Sequence, residues 1–84
     1  MTKDEAVRGV IKVIKDNIPD MFGNDLNENT VLNEHGNVDS MGFILIVTKL
    51  EGMYNVHIPD EEWLHMTTIG DLAEAIIRYQ PEGK

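Results

Sequence analysis

Ser40 is the residue best placed to do chemistry in this sequence. It stands in Val38-Asp39-Ser40-Met41-Gly42, directly ahead of the apolar run Phe43 to Val47. A short side-chain oxygen at a helix start accepts from the N–H groups of the first turn, so Asp39 or Ser40 can cap a helix. The same place is the positive end of a helix dipole, where a phosphate is stabilised. These residues therefore fit two roles, a plain cap and an attachment point. A hydrolase nucleophile is a third reading. A nucleophile elbow needs a glycine on each side of the serine and a strand before it. Only the second glycine, Gly42, is present. Nothing in the sequence places a histidine beside Ser40 to activate it.

Metal chemistry has weaker support. His35, His57 and His65 lie far apart and lack ligand spacing. The acidic loop before Ser40 invites a calcium reading, but an EF-hand needs Gly at its sixth position and Glu at its twelfth. Counting from Asp25 these are Thr30 and Gly36, and from Asp20 they are Asp25 and Val31. There is no cysteine. Disulfides, thiolate metal sites and thiol chemistry of the protein's own are excluded, so a thiol has to be brought in. The five methionines are scattered rather than striped, which suits core filling. Met41 is the exception, because it neighbours Ser40.

A chain of 84 residues makes one domain, spanning 1–84. Its core is small, with roughly 60–70% of the unfolded surface removed from water. That leaves little room for a large catalytic cleft. A hydrophobic content of 42% suits a globular chain rather than a disordered one. Fifteen acids against seven Lys and Arg give a net charge of −8. Such a surface repels nucleic acid and anionic membrane. It attracts basic patches on other proteins, or simply keeps a small domain in solution. No apolar stretch reaches membrane-spanning length, and the N-terminus has no signal-peptide core. The expectation is a cytoplasmic monomer.

The elements that must position Ser40 read as helices. Thr2 to Asn17 is amphipathic, with Ala6, Val7, Val10, Ile11, Ile14 and Ile18 at three- and four-residue spacing. Thr2 can cap it, and Pro19 stops it. Residues 19–39 form a long polar connection, with Met21, Phe22, Leu26, Val31 and Leu32 expected to pin it to the core and a helical turn possible at 20–23. Met41 to Tyr54 is apolar almost all round. Its β-branched residues suit a strand, but its length favours a helix, and Gly52 weakens the last turn. Such a helix is central or exposes an apolar patch. Pro59 is placed as the first residue of a short third helix, with Trp63 and Leu64 facing inward and His65 and Met66 ending it. Thr68 and Asp71 make a capping-box start to the last helix, whose inner stripe is Ile69, Leu72, Ala73, Ile76 and Tyr79.

Taken together, these residues resemble the acyl carrier proteins. Asp39-Ser40-Met41 is similar to that family's Asp-Ser-Leu attachment motif. Glu51-Gly52-Met53-Tyr54 resembles its acid followed by an aromatic residue. Val56-His57-Ile58-Pro59-Asp60-Glu61 looks like its link into a short third helix, and Thr67-Thr68-Ile69-Gly70-Asp71-Leu72 like the opening of its last helix. The resemblance implies an all-α fold, a small four-helix bundle with a long loop between helices 1 and 2. It implies that a phosphopantetheinyl transferase moves 4′-phosphopantetheine from coenzyme A onto Ser40, with Asp39 and the start of the second helix read by the transferase. The arm's thiol would hold acyl groups as thioesters for acyl-loading and acyl-transferring enzymes, and the chain would have no catalysis of its own.

The chain departs from the family pattern in its second helix, which usually carries several acids. Here residues 40–50 have none, and Lys49 is basic. Gly42, Phe43 and Ile46, with Lys49, are therefore expected to form a more apolar docking face. Leu45, Leu50, Ile58, Trp63, Leu72 and Ile76 are expected to shape a core that could admit an acyl chain. The reading favoured is a specialised acyl carrier, for a fatty-acid-like, polyketide, modified-lipid or aminoacyl product. An acidic helical interaction module, with Ser40 only a cap, is the alternative.

Overall fold

A computed structural model describes residues 2–17, 26–33 and 41–80. Among these the chain forms four helices: α1 (Lys3–Asn17), α2 (Met41–Tyr54), α3 (Asp60–Trp63) and α4 (Ile69–Arg78). The all-helical bundle expected from the sequence is what the chain adopts. The turn considered at 20–23, with Ile18, Pro19, Met21, Phe22 and His35, lies outside the described residues.

α1 begins where Thr2 and Glu5 satisfy each other. Thr2 Oγ1 accepts from the Glu5 N–H at 3.2 Å, and Glu5 Oε1 accepts from the Thr2 N–H at 2.9 Å. Two donors left open by the helix start are thereby paired. Ala6, Val10, Val13 and Ile14 are its buried stripe. It packs chiefly on α4 and next on α2.

α4 carries the capping box read from Thr68 and Asp71. Thr68 Oγ1 accepts from the Asp71 N–H at 3.1 Å, while Asp71 Oδ2 accepts from the N–H groups of Thr67 and Thr68 at 3.0 and 3.2 Å. Partial burial pushes the Asp71 carboxyl pKa up. The Thr67 and Thr68 donors outweigh that and hold it below its ordinary value. Residues 28–33 run across the start of α4. Leu32 and Asn33 donate to the Thr67 carbonyl at 2.6 and 3.2 Å, and Ile69 and Gly70 donate to the carbonyls of Thr30 and Glu28 at 3.0 and 2.8 Å. Leu26 and Leu32 do pack against the core, but Val31 is 46% exposed. Its neighbours on either side meet Thr67 and α4 through backbone, which leaves the Val31 side chain outside.

α2 is a helix over the span expected. Phe43, Ile46, Val47 and Leu50 are buried, the i, i+3, i+4, i+7 pattern of one helix face. Past Tyr54 the chain turns at Asn55, whose φ of 56° is a left-handed conformation that asparagine tolerates. Glu51 then ties the link back to α2: its carbonyl accepts from the Val56 N–H at 3.1 Å and its Oε2 from the Ile58 N–H at 2.8 Å.

Two expectations near α3 need correction. Pro59 caps the helix rather than opening it; its carbonyl accepts from the Glu62 N–H at 2.9 Å. Leu64 does not face inward but is 52% exposed, and Met66 takes the core position instead. The helix ends at Trp63 in a tight turn, with His65 bonded back to Glu62 and Met66 to Trp63, so the inward direction passes to the later residue. Asn33, read as one polar loop residue among many, is buried, and its Nδ2 donates to the carbonyls of Trp63 and Met66 at 3.1 and 3.4 Å.

Candidate functional site

Ser40 and Asp39, the residues the sequence singles out for attachment, lie outside the described residues. The first described residue after them is Met41, the first of α2. Its side chain is 85% exposed, so the chain is open to solvent directly beside Ser40. The first turn of α2 carries no acidic side chain. The N–H groups of that turn, with no carboxylate among its side chains, favour a negative charge. The described part of the site therefore suits a phosphate-linked group.

α2 holds two apolar stripes roughly opposite each other. One is the buried set Phe43, Ile46, Val47 and Leu50. The other is Met41, Ile44, Leu45 and Thr48, also at i, i+3, i+4, i+7, which line a shallow open groove of about 390 Å³. Ile44 and Leu45 are 37% and 38% exposed. Of the four residues expected on a docking face, Lys49 is exposed and Gly42 is half-buried. Phe43 and Ile46 are 3% and 2% exposed and point into the core, so they cannot offer a surface. Leu45, expected in the core, faces out. The physical reason is helical phase: Phe43 and Leu45 are about 200° apart on a helix, so burying one exposes the other. Thr48 was the clue in the sequence, since its hydroxyl marks the outward stripe.

The core side of α2 is anchored by Phe43, whose ring meets Trp63 edge-on. Trp63 is half-buried, and its Nε1 donates to the Ile58 carbonyl at 3.0 Å. Leu50, Ile58, Leu72 and Ile76 are fully buried, as expected. Among the described residues no group of His, Asp or Glu could hold a metal ion. No helix among them is long and apolar enough to cross a membrane.

Comparison with known proteins bears on this geometry. A family model described as "Phosphopantetheine attachment site" matches residues 9–76. The chain is 23% identical over 82 residues to the meromycolate extension acyl carrier proteins of Mycobacterium leprae and Mycobacterium tuberculosis, covering 98% of this chain and 70% of theirs. It is 25% identical over 76 residues to the acyl carrier protein of Acidothermus cellulolyticus, covering 90% of this chain and 89% of that one. No solved structure matches significantly.

Proposed function

The chain belongs to the family of the phosphopantetheine attachment site, and from that premise we propose that Ser40 is the residue that bears the arm. Its function is that of an acyl carrier, its cofactor is 4′-phosphopantetheine, and it interacts with acyl-handling enzymes. The thiol at the end of the arm supplies the thioester chemistry that a chain without cysteine lacks.

The observation that carries the Ser40 reading is its place in the match. Ser40 lies inside residues 9–76, immediately before the exposed Met41, and the first turn of the helix that Met41 opens has no acid. The chain's own residues do three things in this reading. Ser40 offers the hydroxyl, Asp39 beside it in sequence is read by the transferase, and the start of α2 at the exposed Met41 adjoins both in sequence. No residue of the chain acts as acid, base or nucleophile on the cargo.

Intact mass tests this. Incubation with coenzyme A and a broad-specificity phosphopantetheinyl transferase is expected to add one phosphopantetheine, and Ser40→Ala is expected to add none. Loading of the folded Ser40→Ala variant would move the attachment elsewhere. No gain with several transferases on folded wild-type protein would favour the interaction-module reading.

A further inference from the structure

We propose that Met41 is a redox modification site: a peroxide oxidises its thioether to the sulfoxide, and the sulfoxide slows transfer of the arm onto Ser40. The second step rests on Ser40 being the attachment residue; the first does not.

Sulfur chemistry narrows the choice. The chain has five methionines and no cysteine, so thioethers are its peroxide-reactive sulfurs. Three of them are among the described residues, and they differ in access. Met66 is 3% exposed and belongs to the core, Met53 is 49% exposed, and Met41 is 85% exposed. Oxidation follows access, so Met41 reacts first of the three. Position adds to this. Met41 is the residue after Ser40, and it stands where the attachment motif it resembles has leucine. Methionine keeps the apolar character and nearly the volume of leucine. What it adds is the sulfur.

The oxidation balances with peroxide alone. A lone pair of Met41 Sδ takes the near oxygen of hydrogen peroxide and the O–O bond breaks. The departing hydroxide leaves as water with the proton of the transferred oxygen. Sulfur is oxidised by two electrons and peroxide is reduced by two. Two thiols reverse the step, ending as a disulfide and water.

The consequence is local. Met41 lines the apolar groove with Ile44, Leu45 and Thr48. An enzyme that delivers a group to Ser40 displaces water from the residue next to it in sequence. A thioether gives up little hydration. A sulfoxide gives up hydrogen bonds that the Ile44 and Leu45 side chains cannot replace. The fold does not depend on this side chain, because it lies outside the core.

The test starts with dilute hydrogen peroxide on the apo-protein. The peroxide is then removed and the oxidised positions are located by peptide fragmentation. Met41 is expected to gain one oxygen severalfold faster than Met53, with Met66 last and helicity unchanged. Loading by a broad-specificity phosphopantetheinyl transferase follows, each protein compared with its own untreated form. Peroxide is expected to lower kcat/KM at least fivefold for wild type and for Met53→Leu, and less than twofold for Met41→Leu. A methionine sulfoxide reductase with a dithiol is expected to restore the wild type. Met41 oxidising no faster than Met53 would overturn the proposal. So would normal loading of protein carrying the Met41 sulfoxide, or an equal loss in Met41→Leu, which would place the sensitive sulfur elsewhere. Absence of loading in untreated wild type with several transferases would remove Ser40 as the attachment residue and the second step with it, while the peptide map decides the first.

Discussion

Trp63 stands edge-on to Phe43, with ring centroids 6.3 Å apart and planes at 80°. This contact joins the third helix to the inner face of the second. α3 has no buried residue of its own, so it is held by what Trp63 touches: the Phe43 ring, the Ile58 carbonyl and, through the Trp63 carbonyl, the Asn33 amide. Trp63→Ala is expected to cost about 3 kcal/mol, and Trp63→Phe about 1 kcal/mol, since phenylalanine keeps a ring but loses the indole donor. Urea unfolding followed by circular dichroism measures both. An alanine variant as stable as wild type would show that α3 is held by something else.

Glu51 is expected to matter as an acceptor more than as a charge. Its Oε2 receives the N–H of Ile58, a residue buried completely. Glu51→Ala leaves that donor unpaired and is expected to cost about 1–3 kcal/mol. Glu51→Gln keeps an acceptor and is expected to lose well under half of that. His57 Nδ1 lies 3.8 Å from the same oxygen but is highly exposed, so His57→Ala is expected to change unfolding by less than about 0.5 kcal/mol. Equal losses for the glutamine and alanine variants would refute the acceptor role.

Asp71 ties stability to pH. Its folded-state carboxyl pKa lies below the ordinary value. A carboxyl depressed in this way stabilises the fold above its unfolded pKa, and the gain is lost as pH falls through the folded pKa. The loss is therefore expected below about pH 4. At pH 7, Asp71→Ala is expected to cost about 1–2 kcal/mol through the cap. The gap between variant and wild type is expected to narrow as pH is lowered from 5 to 2. A gap that stays constant over that range would mean the carboxylate contributes nothing through its charge.

Gly70 sits where α4 meets the 28–33 segment. A Cβ there would come 3.0 Å from the Glu28 carbonyl oxygen, a backbone atom that cannot swing aside. The Gly70 N–H donates to that same oxygen at 2.8 Å. Gly70→Val is expected to cost about 1–3 kcal/mol through overpacking. At Gly52, by contrast, nothing lies within 4 Å of an added Cβ, and Gly52→Ala is expected to gain up to about 1 kcal/mol in helix propensity. Thermal unfolding of the two variants should move in opposite directions; a stabilised Gly70→Val would show that the segment yields.

Much of the fold is legible in the sequence because its signals are local. Thr2 with Glu5 and Thr68 with Asp71 announce helix starts within four residues of themselves, and α1 and α4 show their inner faces by spacing. Pro59 and Trp63 mark a short element, misjudged by a residue at its start, by its end at Trp63 rather than His65 and Met66, and by which residue after it turns inward. The motif proposed for attachment is equally local, since Ser40 is singled out by its immediate neighbours in sequence and by the helix that follows.

α2 is different, because its sequence holds apolar residues on both sides. Phe43, Ile46, Val47 and Leu50 make one stripe, and Met41, Ile44, Leu45 and Thr48 another, and only the Thr48 hydroxyl separates them by polarity. Periodicity establishes that there is a helix, but it ranks two faces only when one is polar. Packing against α1 and α4 and the edge-on meeting of Phe43 with Trp63 decided the phase. The burial of Asn33 was settled in the same way, since its partners Trp63 and Met66 lie thirty or more residues away. The sequence by itself determined the helices and the caps at Thr2 and Thr68, and it singled out the serine proposed for attachment. Only the tertiary structure decided which side of α2 faces solvent, because that choice depends on contacts between residues far apart in the chain.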